Sequence, residues 1–170
     1  MKLLKEKFLE KYPLYPNTYE DFMRRLTRVK DFSKSAGSDE EQFERGKAFG
    51  TVYECFMYAT MVGIKARHQA PSERNAAGPK FLQIKDWKPQ PLVDFIFMGL
   101  LTLAKFPFEE IEELSPEQAD ERGLDLVKTM ERYAAGGFEL MLAKSKDFPQ
   151  FFENPGNVVT FLKDVVLITK

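Results

Sequence analysis

Four consecutive residues, Ser115-Pro116-Glu117-Gln118, constrain this chain more than any other stretch. A serine hydroxyl accepts from the amide three residues on, proline suits the first helical position, and glutamine at the third position can answer the serine's own amide. They predict a helix start. Leu124, Val127, Met130 and Ala134 follow at spacings of three and four, the period of one buried helical face. The helix either runs through Gly136-Gly137 to Lys146 or breaks at the glycines.

The same punctuation recurs along the chain. Met1–Lys11 reads as a short amphipathic helix with Leu4, Phe8 and Leu3 on its apolar side, stopped by Pro13 and Pro16. Asn17 or Thr18 is expected to cap a second helix reaching about Lys30, with Phe22, Leu26 and Val29 inward. Residues 33–38 read as a loop, and Ser38 before three acidic residues as another helix start. That helix restarts near Gly46 or Gly50 and ends at Gly63 as a C-terminal glycine. Residues 64–90 form an irregular excursion punctuated by Pro71, Gly78, Pro79 and Pro89, with Phe81–Ile84 as a short strand without an evident partner. Pro91 opens a helix to about Lys105 that is apolar nearly all round and so expected at the centre. Phe108–Leu114 is a short acidic helix, and Asn154-Pro155 opens a last one with Val158, Phe161, Leu162 and Val165 inward. The expected fold is all-α: a compact single-domain bundle of five to seven helices over residues 1–170, with the excursion at about 64–90.

Several function classes are excluded early. A chain of 170 residues with 44% hydrophobic side chains has enough apolar surface to form a core. One cysteine, Cys55, excludes an internal disulfide and a Cys-rich zinc site, and with one histidine, His68, beside it a tetrahedral zinc site is not expected. Cys55 lies on an apolar helical stretch and reads as a small buried hydrophobe. No cofactor or metal is expected. The N-terminus alternates apolar and charged residues, unlike a secretory signal, and the most apolar run, Phe95–Ala104, is far shorter than the roughly 20 residues of a membrane span. A cytoplasmic chain with no membrane contact is therefore expected.

Charge tells more than any single residue. Lys and Arg total 25 against 26 Asp and Glu, which excludes a globally basic nucleic-acid binder. The charges are nevertheless segregated. Basic residues collect at 24–34 (with Arg24 and Arg25) and at 65–88 (Lys65, Arg67, Arg74, Lys80, Lys85 and Lys88), while 109–125 holds eight acidic residues and one Arg122. Basic loop residues interleaved with Phe81 and Trp87 have the composition that tracks phosphates and stacks on bases. A solvated face, or pairing with the acidic segment, explains the same pattern. His68 reads most simply as an exposed loop histidine. As a general base it needs a carboxylate within hydrogen-bond reach, inside a pocket. The acidic segment contains no EF-hand loop or Glu-x-x-His motif, and Gly136-Gly137 lacks the context of a phosphate loop, so a close helix-packing point or a bend is the better account.

Two stretches, YECFMYATMVGIKARHQAP (Tyr53–Pro71) and ERYAAGGFELMLAK (Glu131–Lys144), taken with the intervening LVDFIFMGLLTLAK helix, carry a resemblance. Together they resemble the fourth family of proteins associated with bacterial Dnd systems, the loci that replace a non-bridging phosphate oxygen of DNA with sulfur. The match spans about residues 20–166. Ile64 stands where the family has an aromatic residue, Phe138 where it has leucine, and the excursion at 72–91 is longer. The resemblance implies a non-catalytic accessory protein in phage defence, a partner of other defence-system proteins and a candidate DNA-contacting adaptor. It assigns no chemical role to any residue.

The binding candidates are accordingly Arg24, Arg25, Lys65, Arg67, His68, Arg74, Lys80 and Lys85. Two other classes stay open: a hydrolase or nuclease-associated enzyme using His68 with carboxylates of the acidic segment, and a homo-oligomer built on exposed Phe148, Phe151 and Phe152. Neither a partner's identity nor the oligomeric state follows from these residues.

Overall fold

A computed structural model describes residues 1–28, 47–71 and 82–165. The described residues form seven α-helices: α1 (Lys2–Leu9), α2 (Glu20–Leu26), α3 (Val52–Ala66), α4 (Gln90–Ala104), α5 (Phe108–Glu112), α6 (Pro116–Asp147) and α7 (Pro155–Asp164). Single 3-10 turns stand at Asn17–Tyr19, Ile84–Asp86 and Phe151–Glu153. No strand occurs among the described residues; the one β-bridge joins Thr27 to Phe49. None of the helices is long and apolar enough to cross a membrane.

The axis of the molecule is α6, 32 residues or about 48 Å at 1.5 Å per residue. It starts where the sequence places it. The Gln118 amide donates to Ser115 Oγ at 3.3 Å, and the Ser115 amide donates to Gln118 Oε1 at 2.9 Å. It then passes Gly136-Gly137 without a break, because both glycines are needed for packing. A Cβ on Gly137 would collide with the Ala59 carbonyl of α3, and one on Gly63 with the Tyr133 carbonyl of α6. Contacts that rise along α3 (Ala59, then Gly63) fall along α6 (Gly137, then Tyr133), so the two helices are antiparallel with their backbones nearly touching. Closer to the N-terminus of α6, Gly123 admits the backbone of α1, which a Cβ would approach to 3.1 Å at Lys7 and Phe8.

Around this pair the aromatic residues fill the core. The Phe138 ring stacks on Tyr19 at 4.9 Å and lies 6.4 Å from Phe56, which meets Trp87 edge-on at 5.9 Å. Phe8 meets Phe97 at 5.2 Å, tying α1 to α4. Cys55 is fully buried and burial pushes its thiol up, as expected of a small hydrophobe. Glu131 is also buried, with Oε1 accepting the Leu14 amide at 2.8 Å, so its carboxylate anchors the turn after α1.

Several boundaries differ from expectation. Gly63 does not end its helix: α3 runs to Ala66, and Arg67 supplies the left-handed residue at φ 50°, ψ 33°. The irregular excursion accordingly starts after 66 rather than at 64. The second helix is shorter than expected and is entered through the 3-10 turn, without a side-chain cap from Asn17 or Thr18. It stops at Thr27, which turns extended so that Leu26 and Arg28 can pair with Phe49 at 3.3 and 3.0 Å. Val29, the 33–38 loop and the helix start at Ser38 lie outside the described residues. The strand expected at 81–84 is not one over its described part. Ile84 instead begins a 3-10 turn, and its amide donates to the Lys11 carbonyl at 3.1 Å. The largest departure is α4. Val93, Ile96, Phe97 and Leu100 are buried, yet Phe95 is 67% exposed and Met98 41%, so the helix is not central on every side.

Candidate functional site

Where α3 ends, the chain is strapped down onto α6. The left-handed turn at Arg67 sends the chain back, and the His68 amide donates to the Gly63 carbonyl at 2.9 Å. The His68 carbonyl then lies so close to Gly136 that a Cβ there would collide with it. On the side-chain side, His68 Nε2 is 2.7 Å from Glu139 Oε2, a contact across 71 residues. Arg132 completes the strap: its Nε donates to Gln69 Oε1 at 3.1 Å, and its carbonyl accepts the Ala70 amide at 3.1 Å. Arg132, Gly136 and Glu139 are spaced four and three apart, one stripe of α6.

The histidine is therefore held, with its side chain 19% exposed against 47% for Glu139. Tyr19, whose ring stacks on Phe138, is raised above the ordinary phenol range by burial first and by the charge of Glu139 second. The expected exposed loop histidine is thus corrected to a half-buried, paired one. Its carboxylate comes from Glu139, within the second resemblance stretch, and not from the acidic segment. The arrangement can hold and orient an imidazole. Among the described residues no group of three or more His, Cys, Asp or Glu side chains could hold a metal ion.

Of the other described candidates, Arg67 belongs to this strap as its turn residue and the rest do not converge on it. Arg24 is exposed but holds Glu20 Oε1 through Nε at 2.9 Å and Nη2 at 2.6 Å, which raises the pKa of its guanidinium. The guanidinium of Arg25 sits 5.4 Å over the Phe22 ring. Lys65 donates from Nζ to the carbonyls of Leu162 at 2.6 Å and Lys163 at 2.5 Å, so it caps the last turn of α7. Arg67 and Lys85 are exposed. Arg74 and Lys80 lie outside the described residues. Trp87, near Lys85, stacks on Tyr53 at 5.7 Å in the first turn of α3, whereas Lys65 and His68 lie at its far end. Fifteen helical residues put about 22 Å between those ends, so Lys85 belongs to a different part of the surface. Nor does Trp87 offer a stacking face for a base. It is 1% exposed, and its Nε1 donates to the Leu82 carbonyl at 3.1 Å. Phe81 lies outside the described residues.

The acidic segment lines a cleft of about 560 Å³ between α5 and α6, with Glu110, Glu113, Glu121 and Asp125 around it. Among the described residues its ion pairs lie outside the basic stretches: Asp120 meets Lys11 at 2.5 Å, and Asp125 meets Lys128 at 3.4 Å. A second groove, about 500 Å³, runs between the ends of α6 and α7 over Leu140, Ala143, Phe151 and Phe161. His68 lines neither. Of the three phenylalanines expected on the surface here, only Phe148 is exposed, at 56%. Phe152 is buried against Phe22, Phe151 and Phe161, and Phe151 is half-buried, so the patch is smaller than expected.

Glu139 and Arg132 are the residues that the sequence reading missed, and their spacing with Gly136 is what could have found them. The sequence matches no protein-family model and no curated protein, and the fold matches no solved structure.

Proposed function

We propose that this chain is a non-catalytic accessory protein of a Dnd-type DNA phosphorothioation and restriction system, a helical adaptor whose contacts are with the system's other proteins. The family resemblance supplies the setting. The observation that carries the adaptor reading is Phe95, 67% exposed on a helix whose other face is core, with Met98 at 41% one turn on. Exposed apolar side chains on a rigid helix form the kind of anchor that partner proteins cover. The scattered basic residues make DNA the second partner to test.

The test is co-expression with the modification and restriction proteins of such a system, followed by size-exclusion chromatography. Wild type should comigrate with at least one of them, and a Phe95→Ser/Met98→Ser variant with unchanged circular dichroism should not. Comigration indifferent to that change, or none at all, refutes the reading. DNA is tested by anisotropy titrations across salt. There, every phosphate that a Lys65/Arg67→Ala variant no longer neutralises should flatten the log–log slope by about 0.9. Absence of binding at about 50 mM salt removes DNA and leaves the protein adaptor.

A hydrolase reading draws on the 2.7 Å His68–Glu139 contact, which orients an imidazole. It also requires a nucleophile and a surrounding cleft, and His68 lines neither of the two clefts described above.

A further inference from the structure

We propose that the His68–Glu139 contact is an acid-tightened latch, which fastens residues 67–71 to α6 more firmly when the chain's only histidine carries a proton. A carboxylate offers acceptors only, so the Nε2 that faces Glu139 Oε2 at 2.7 Å carries a hydrogen in the neutral ring. The added proton goes to Nδ1 and turns a hydrogen bond between a neutral ring and a carboxylate into a hydrogen-bonded ion pair. Imidazoles in general undergo this change across the mildly acidic range.

The groups around the ring fit this role. From α6 come Glu139, the carboxylate that meets the ring among the described residues, and Arg132, whose side chain is engaged with Gln69 and Thr129. From the turn before α2 comes Tyr19, a phenol held neutral by burial and by Glu139. From the end of α3 come Lys65, committed to the carbonyls of α7, and Arg67. The latch also has something to hold against. Arg67 sits at φ 50°, a conformation that residues bearing a side chain adopt only against resistance, and it lies one residue before the histidine. The same strap includes a backbone reporter, the Ala70 amide bonded to the Arg132 carbonyl at 3.1 Å.

Native-state hydrogen exchange of the Ala70 amide in the full chain, measured by NMR from pH 8 to pH 5.5 and corrected for intrinsic exchange, tests the latch. Wild-type protection should rise about threefold on acidification relative to the buried Val127 amide, the size expected of a partly exposed ion pair. Glu139→Gln and His68→Gln should each abolish the rise. Glu139 is half-exposed, so its variant should keep the fold, which its circular dichroism checks. A wild-type profile that is flat or falls with acid overturns the proposal, as does an equal rise in Glu139→Gln.

Discussion

Replacing Gly137 with alanine should destabilise the chain even though it puts the best helix former into the middle of α6. In an open helical position the change is worth roughly 0.5–1 kcal/mol in favour of the folded state, because glycine loses more backbone freedom on folding. At Gly137 the new methyl would collide with the Ala59 carbonyl, and its neighbours are backbone atoms, which cannot swing aside as a side chain can. Overpacking of a tight interior costs about 1–3 kcal/mol or more. The two helices would have to separate along the length of their contact, so the upper end applies and the net loss is about 2 kcal/mol. Gly99 of α4 provides the control. The nearest heavy atom to a Cβ there is Ile64 Cδ1 at 4.0 Å, an ordinary contact, so Gly99→Ala should gain about 0.5–1 kcal/mol. Urea unfolding followed by circular dichroism, with a common m-value, reads both changes as midpoint shifts of opposite sign. A Gly137→Ala midpoint at or above wild type would refute the close-packed α3–α6 contact.

Two pH dependences follow from other side chains. Asp120 is held below the usual carboxylate range by its hydrogen bond to Lys11, and Glu117 by backbone and Ser115 hydrogen bonds at the start of α6. A depressed folded value means that the stabilisation is present above the unfolded value and is lost as pH falls through the folded one. An Asp120→Asn/Glu117→Gln variant should therefore show a flatter acid limb in urea midpoints measured from pH 6 to pH 2. Tyr58 behaves in the opposite way. Burial raises its phenol, whose hydroxyl donates to the Val158 carbonyl at 2.7 Å, so its contribution is intact below the unfolded value and fades as pH rises above it. Tyr58→Phe should cost about 1 kcal/mol at pH 7 by removing that hydrogen bond, and should lose part of the alkaline slope on thermal unfolding across pH 8–11.

How much of this was legible depended on how local the cause was. The capping pair Ser115 and Gln118 lies within one turn, and the apolar period after it is continuous, so α6 could be read directly. Gly136-Gly137 could be narrowed to a packing point or a bend because a phosphate loop carries motifs that this chain lacks, and it takes the Ala59 carbonyl to decide between the two. Gly63 was misread because a glycine that ends a helix and one that admits a neighbouring backbone look alike until the Tyr133 carbonyl is in view. Phe95 and Met98 were assigned to the core because hydropathy measures the side chain and not what covers it. The basic stretches were correctly seen as segregated along the chain, but their meeting in space depends on α3, whose length separates Lys85 from Lys65. The His68–Glu139 contact joins residues too distant in sequence for any local pattern, although the stripe of Arg132, Gly136 and Glu139 was there to be read.

The antiparallel α3–α6 pair closed on glycines fixes the strap at His68 and the packing of everything around it. Its most direct measurement is the nuclear Overhauser contact between the Hα protons of Gly137 and the Hα of Ala59, since an ideal Cβ on Gly137 would stand 3.0 Å from the Ala59 Cα. A strong cross-peak, with a matching one from Gly63 to Tyr133, is the predicted result. Gly137 cross-peaks to residues of α3 outside the stretch from Ala59 to Gly63 and their immediate neighbours would contradict the register and the site built on it.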